Sequence, residues 1–404
     1  LQEAGVTTLR PELEVGADGV VQGLAVVQTA PAEHPVLRPH RLVVGGYDLV
    51  DGRLERTRRV ELDVAGERTP VEGFAGQPRP ALLLVNDDDL AYAKIRLDEA
   101  SLATATEHLG AFADALPRSL VWGAAWDMTR DGELGARAFA DLVLRNLDSV
   151  DDPSVAQTLL RQLASALAFY VAPAHRDAAR ERAADALLAM LEQAAAGSDR
   201  QLLLARSFAA HAVSPAQVDV LGELLSGSRT LDGLAVDTDM RWALLTARVA
   251  AGAAGEAEIS AELDRDDTSS GRVHAAAARA AVPTAQAKAE AWKLVVEQGE
   301  LPNTVQGAVI GGFGRVHDDT LIEPYVEPYF EALTTVWKTR TNEMASQIVE
   351  GLYPAQLASP ALVERTQRWL DDTDAEPALK RLVTEGRDTA ARAVRAQERD
   401  AADA

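Results

Sequence analysis

Seven histidines, at positions 34, 40, 108, 175, 211, 274 and 317, are the residues most able to carry chemistry in this chain. A zinc-hydrolase helix needs two histidines four apart with a glutamate after the first, so that both rings meet one ion and the carboxylate activates water. No pair has that spacing. His34 and His40 flank prolines and read as loop residues, whereas His211 and His274 fall in helical segments and read as packed or capping residues. A serine nucleophile on a strained turn would require Gly-x-Ser-x-Gly, which does not occur. With no cysteine, thiolate nucleophiles, thiolate metal sites and disulfides are excluded together.

Two further segments invite chemistry and decline it. Asn86-Asp87-Asp88-Asp89 is acidic enough for calcium but lacks the alternating ligands, central glycine and distal glutamate of a calcium loop, and reads as a polar turn. Gly311-Gly312-Phe313-Gly314 has the glycines of a phosphate loop without a preceding strand or a following Lys-Ser or Lys-Thr. It reads as a helix end where neighbouring backbones come close. Trp122 and Trp126, four apart, share one helix face and are expected in the core. The residues themselves therefore give no catalytic group and no metal ligand.

The elements that would position such groups change character once along the chain. From Val6 to Asp98 apolar and polar residues alternate between closely spaced turn residues, as in Val60, Leu62 and Val64 against Glu61 and Asp63. Asp51-Gly52 is a two-residue hairpin signal, because a type I′ turn needs positive φ at both positions, and Ala17-Asp18-Gly19 marks an earlier turn. From Asp98 onward the spacing is helical. Val155, Leu159, Leu163, Leu167 and Tyr170 fall on one face, with Asp152 as N-cap and Pro153 at the first helical position. Ser214-Pro215-Ala216-Gln217 forms a capping box, Thr284 and Ser359 start further helices, and Gly197, Gly227, Gly299 and Gly351 stand where left-handed C′ residues are wanted.

These signals predict about fifteen helices with no strict repeat, and a last helix that frays at the carboxy end. The fold expected is α+β in two domains, a small antiparallel β-sandwich over 1–98 and a large α-α superhelix, HEAT-like, over 99–404. A length of 404 residues suits two or more domains.

Charge narrows the partners. A formal charge of −22 and a pI near 4.7 repel a phosphate backbone, and the arginines between Arg53 and Arg59 and between Arg387 and Arg399 are interleaved with acids. No apolar run approaches the roughly 20 residues that span a bilayer. Nucleic acid and membrane are accordingly not expected as partners, and a cytoplasmic location is the expectation.

Pro80 to Asp98, PALLLVNDDDLAYAKIRLD, resembles the exit from the small β-sandwich of zinc aminopeptidases of the aminopeptidase N family, where an asparagine-led turn precedes a tyrosine-bearing last strand and an acidic residue. Ala4 to Val15 is similar to the entry into that sandwich, Leu116 to Leu134 to the first long helix of the carboxy-terminal domain, and Ile322 to Pro354 to the late helices of actinobacterial members. The resemblance implies the last two of four parts of such an enzyme, with Leu1 lying inside a longer protein. Zinc, its ligands and the general base would all belong to an absent catalytic domain, and this chain alone would be inactive.

It also implies a cap over the active-site cleft, with the chain's own catalytic domain and peptide substrates as partners. Lys338, Arg340 and Arg118 are the cations expected to face the carboxylate end of a peptide, against the plainer reading that Arg118 ties its helix to the sandwich and the other two are surface charges. The alternative function is a helical-repeat scaffold for protein interactions without an enzymatic role.

Overall fold

A computed structural model of the chain describes residues 4–403. Seven strands lead: β1 (Thr8–Val15), β2 (Val21–Thr29), β3 (His40–Val50), β4 (Arg53–Val64), β5 (Arg68–Pro70), β6 (Leu82–Val85) and β7 (Lys94–Ile95). They form two sheets of order β5-β2-β1-β7 and β4-β3-β6. Pairing is antiparallel except for β7, which runs parallel to β1. Strand β1 also touches β6 of the other sheet, and Leu9, Val26, Leu42, Val44, Phe74 and Leu83 are buried. The β3–β4 hairpin turns on Asp51 and Gly52 at φ 48° and 80°, the two positive values that the Asp-Gly signal requires.

The tyrosine-bearing last strand does not form. Asn86 and Asp89 adopt φ of 62° and 53°, and the Asn86 side chain donates to the Ala91 carbonyl (2.8 Å) while accepting from its amide (2.9 Å). That clamp turns the chain outward, so Leu90 and Tyr92 are 54% and 75% exposed and only Lys94 and Ile95 pair.

Asp98 caps the first helix, accepting from the Ser101 amide, and sixteen α-helices follow among the described residues. They are α1 (Glu99–His108), α2 (Ala115–Arg130), α3 (Ala136–Asn146), α4 (Pro153–Ser165), α5 (Arg176–Gln193), α6 (Asp199–His211), α7 (Pro215–Ser226) and α8 (Thr238–Ala250), then α9 (Glu256–Arg265), α10 (Ser269–Ala281), α11 (Ala285–Trp292), α12 (Asn303–Phe313), α13 (Val326–Thr339), α14 (Asn342–Gly351), α15 (Pro360–Asp372) and α16 (Pro377–Ala402). The side chains of Asp152, Thr284 and Ser359 cap α4, α11 and α15, and Ser214 and Gln217 close a capping box on α7. The whole is α+β, sheets first and helices after.

The chain divides into two compact units, one running up to Ala166 and including the residues from Ala402 on, the other Leu167–Ala401. In the first, α1 lies on β6, with the Ser101 hydroxyl accepting from the Leu83 amide (2.9 Å) and Thr104 donating to the Ala81 carbonyl (2.7 Å). In the second, α5 packs on α6, α6 and α7 on α8, α8 on α10, α10 on α12, and α12 and α13 on α14. These pairs are near neighbours in sequence and form a local stack from α5 to α14, whereas α16 returns to Phe169 and Ala172, before α5. Trp242, Leu245, Val249, Ile259, Ala275 and Ala278 form one buried cluster of this stack.

One expectation is corrected here. Gly351 belongs to α14 and has no positive φ; a Cβ there would strike Ile310, so its smallness serves helix approach, not a left-handed cap. The carboxy end finishes a last helix, as expected, and α16 buries Ala390, Ala393 and Ala396. The fully buried Asp400 carboxylate accepts from the Ala172 amide (3.0 Å), and Gln397 donates to the Phe169 carbonyl (2.8 Å).

Candidate functional site

The three cations singled out from sequence sit in different settings. Arg118, in the first unit, is partly buried on α2 and donates to the Ser149 carbonyl (3.1 Å), fastening α2 to the turn after α3. Lys338 is exposed in the last turn of α13 and makes no ion pair among the described residues. Arg340 follows α13, partly buried, and donates to the Val296 carbonyl (3.1 Å). Its guanidinium occupies the space that a Cβ on Gly299 would need, and its Nε is buried without a partner. Arg340 lines an open depression of about 580 Å³ with Trp292, Glu297, Glu331 and Thr335. A guanidinium fixed on one carbonyl keeps other N–H groups for a second acceptor.

The polar networks that the sequence did not disclose are more deeply set. Asp87, in the segment read as a polar turn, is buried; it accepts from the Tyr47 hydroxyl (2.6 Å) and from Arg56 (2.8 Å). Burial pushes its carboxyl above the usual range despite both donors, and burial together with the Asp87 bond raises the Tyr47 phenol. Arg56 also reaches Asp88 (2.5 Å), and Arg59 reaches Asp88 (2.8 Å), so the basic segment of β4 neutralises the acidic turn. Arg96, nearly buried, pairs with Asp131 (2.5 Å) and Glu133 (2.9 Å), while Lys94 also holds Asp131 (2.6 Å). Burial works to raise the Asp131 carboxyl, and the two cations outweigh it, leaving it low.

These groups stabilise one another and present no nucleophile beside a base. Among the described residues no three histidine, aspartate or glutamate side chains converge as metal ligands would. Trp122 is buried with its indole N–H unpartnered, and Trp126 packs against Phe139 at 5.2 Å between ring centres. His274 stacks on Trp242 (5.8 Å), and His40 shares a hydrogen bond with Thr7 (3.0 Å), which gives two of the seven histidines a structural setting. The alternation of arginines in β4 opposite a run of acids signals the Asp87 network only once the register is known.

Comparison with known proteins gives this architecture its place. The family model of the ERAP1-like C-terminal domain matches residues 82–392. The chain belongs to that family. It is also 52% identical over 409 aligned positions to Aminopeptidase N of Streptomyces lividans, an alignment covering 100% of this chain and 48% of that protein. The chain therefore spans about half the length of this curated relative, and it corresponds to the carboxy-terminal region of an aminopeptidase N homologue. In the ERAP1-like C-terminal domain as found here, the matched span begins at β6 and takes in α1 to α15 and most of α16, so β1 to β5 precede it.

Proposed function

We propose that this chain is the non-catalytic part of a zinc-dependent aminopeptidase that releases amino-terminal residues from peptides, and that its helices cap the active-site cleft and restrict which peptides enter. The observation that carries this reading is the full-length alignment of the chain to one half of an Aminopeptidase N. The described residues offer no ligand set that fits zinc, so the ion is assigned to the other half and no step is derived through it. What this chain contributes is exclusion and positioning. A wall of packed helices keeps bulk water and folded proteins from a reacting centre, which strengthens electrostatic interactions there.

Lys338, Arg340 and Arg118 are proposed to pair with the carboxylate end of bound peptides. Lys338 is exposed, and Arg340 opens onto a depression large enough for a side chain. The experiment combines this chain with the separately produced amino-terminal half of the Streptomyces lividans relative and follows hydrolysis of an aminoacyl anilide and of peptides of increasing length. Activity of the pair, absent from this chain alone and abolished by a chelator, is expected. Chelator-sensitive hydrolysis by this chain alone, or no effect of adding it, overturns the reading. For the three cations, each Ala variant in the reconstituted pair is expected to lower kcat/KM for peptides several-fold and leave the anilide unaffected; equal values at every peptide length reject the role.

A further inference from the structure

The depression onto which Arg340 opens holds more charge than that one guanidinium. Glu297, from the helical turn Lys293–Gln298 that continues α11, and Glu331 of α13 also line it. Both carboxylates are exposed, and among the described residues neither makes a hydrogen bond or an ion pair. Arg340 is not their partner. Its guanidinium lies where a Gly299 side chain would begin, is tied to the Val296 carbonyl (3.1 Å), and reaches neither acid. Lys293 and Lys338, the cations of the same two segments, are exposed, do not line the depression and pair with neither acid.

One depression thus presents a held cation and two carboxylates that nothing in the protein neutralises. The rest of its lining is largely apolar, with Trp292, Val296, Ala332 and Val336. A ligand that brought only a carboxylate would be drawn to Arg340 and repelled by Glu297 and Glu331. A ligand that brought only an apolar group would leave all three charges unmatched. Lysine and arginine carry their charge at the end of an aliphatic stem, which lies along apolar surface while the head reaches polar surroundings. As the last residue of a peptide, either one adds a carboxylate and so answers each feature of the lining.

We propose that Glu297 and Glu331 are specificity determinants that make this depression a subsite for peptides ending in lysine or arginine. Arg340 takes the terminal carboxylate with the N–H groups that Val296 leaves over, the apolar lining takes the stem, and the two acids take the side-chain cation. The inference rests on the assignment of Arg340 to the peptide carboxylate and adds to it the class of residue that bears that carboxylate.

The test titrates the whole chain calorimetrically, at low ionic strength, with acetyl-Ala-Ala-Lys and acetyl-Ala-Ala-Leu, each as the free acid and as the carboxy-terminal amide. Acetylation leaves the lysine side chain as the only cation. The lysine acid is expected to bind tightest, ahead of the leucine acid by about fivefold, as suits two exposed ion pairs. Glu297→Gln/Glu331→Gln is expected to abolish that preference without weakening the leucine acid; both positions are exposed, and circular dichroism verifies folding. Arg340→Gln is expected to erase the preference for acid over amide. Equal binding of the two acids, or a lysine preference that survives the double variant, overturns the proposal, while a remaining preference for acid over amide keeps the Arg340 assignment standing. A lysine preference indifferent to amidation refutes that assignment and, with it, recognition of the terminal residue. Absence of binding by all the peptides overturns both.

Discussion

His211 and His317 illustrate how a residue's neighbours decide its charge. Both rings are held down at about 4 by burial and by Arg180 and Arg315, with Arg176, Asp177 and Asp319 as the other charged groups around them. In the unfolded chain each imidazole would take a proton near pH 6.5, whereas the folded chain refuses it until about pH 4. Between those values the unfolded state binds more protons, so stability is fully present above about 6.5 and declines as pH falls through the window. The double variant His211→Gln/His317→Gln is expected to remove on the order of 1–3 kcal/mol per ring of that decline. Urea midpoints at pH 7, 5.5 and 4.5 check it, and identical pH slopes for both proteins would contradict the assignment. Gly312 acts by size instead. A Cβ there would collide with the Ala277 carbonyl, so Gly312→Ala is expected to cost about 1–3 kcal/mol, read from the same urea curves. That close approach was legible in the run Gly311-Gly312-Phe313-Gly314. The histidine and arginine cluster was not, because its members are spread from 176 to 317 and nothing local couples them.

At the scale of elements, Tyr47, Asp87 and Arg56 join β3 and β4 to the turn after β6 through a buried carboxylate. Tyr47→Phe removes one donor and leaves the carboxylate with Arg56, for an expected loss of about 1–3 kcal/mol; Asp87→Ala, which strands both donors, should lose more. Chemical denaturation of the two variants checks the order, and a neutral Tyr47→Phe would show that water replaces the hydroxyl. A second junction is the fully buried Lys288 of α11, whose ammonium donates to the Ala280 carbonyl of α10 (2.7 Å) and the Gly312 carbonyl of α12 (3.3 Å). Burial lowers its pKa to about 8. Below pH 8 both states are protonated; from there to about 10.5 the unfolded state holds the proton and the folded state does not, so stability gains as pH rises through that interval. Lys288→Met should flatten this rise in thermal melts between pH 7.5 and 10.5. Hairpin and caps could be read from the sequence because Asp51-Gly52, Asp152, Ser214 and Ser359 act within a few residues of themselves. The polar turn at Asn86 was legible, but the outward course of Tyr92 after it was not, since it rests on a side-chain clamp to Ala91 that composition does not reveal.

For the molecule as a whole, the change from alternating to helical spacing at Asp98 was enough to place sheets before helices, because periodicity is set by the same burial that folds each part. The last helix was harder to read. Its alanines are separated by arginines and acids, so the packed face is hidden among charges, and Asp400 stands out from the other acids only once its bond to Ala172 is known. Deleting residues 377–404 removes Leu379, Leu382, Val383 and the buried alanine face along with the Asp400 bond to Ala172, and is expected to cost several kcal/mol and broaden thermal unfolding. A calorimetric trace as sharp as that of the full chain would show α16 to be dispensable. Tyr92 carries a different consequence. Tyr47, Tyr329 and Tyr353 are buried with their phenols held protonated, whereas Tyr92 stands three-quarters free of its surroundings. Mild iodination, which attacks accessible phenolates, should therefore mark position 92 first and furnish the sheet-bearing unit with a heavy-atom label that requires no mutation.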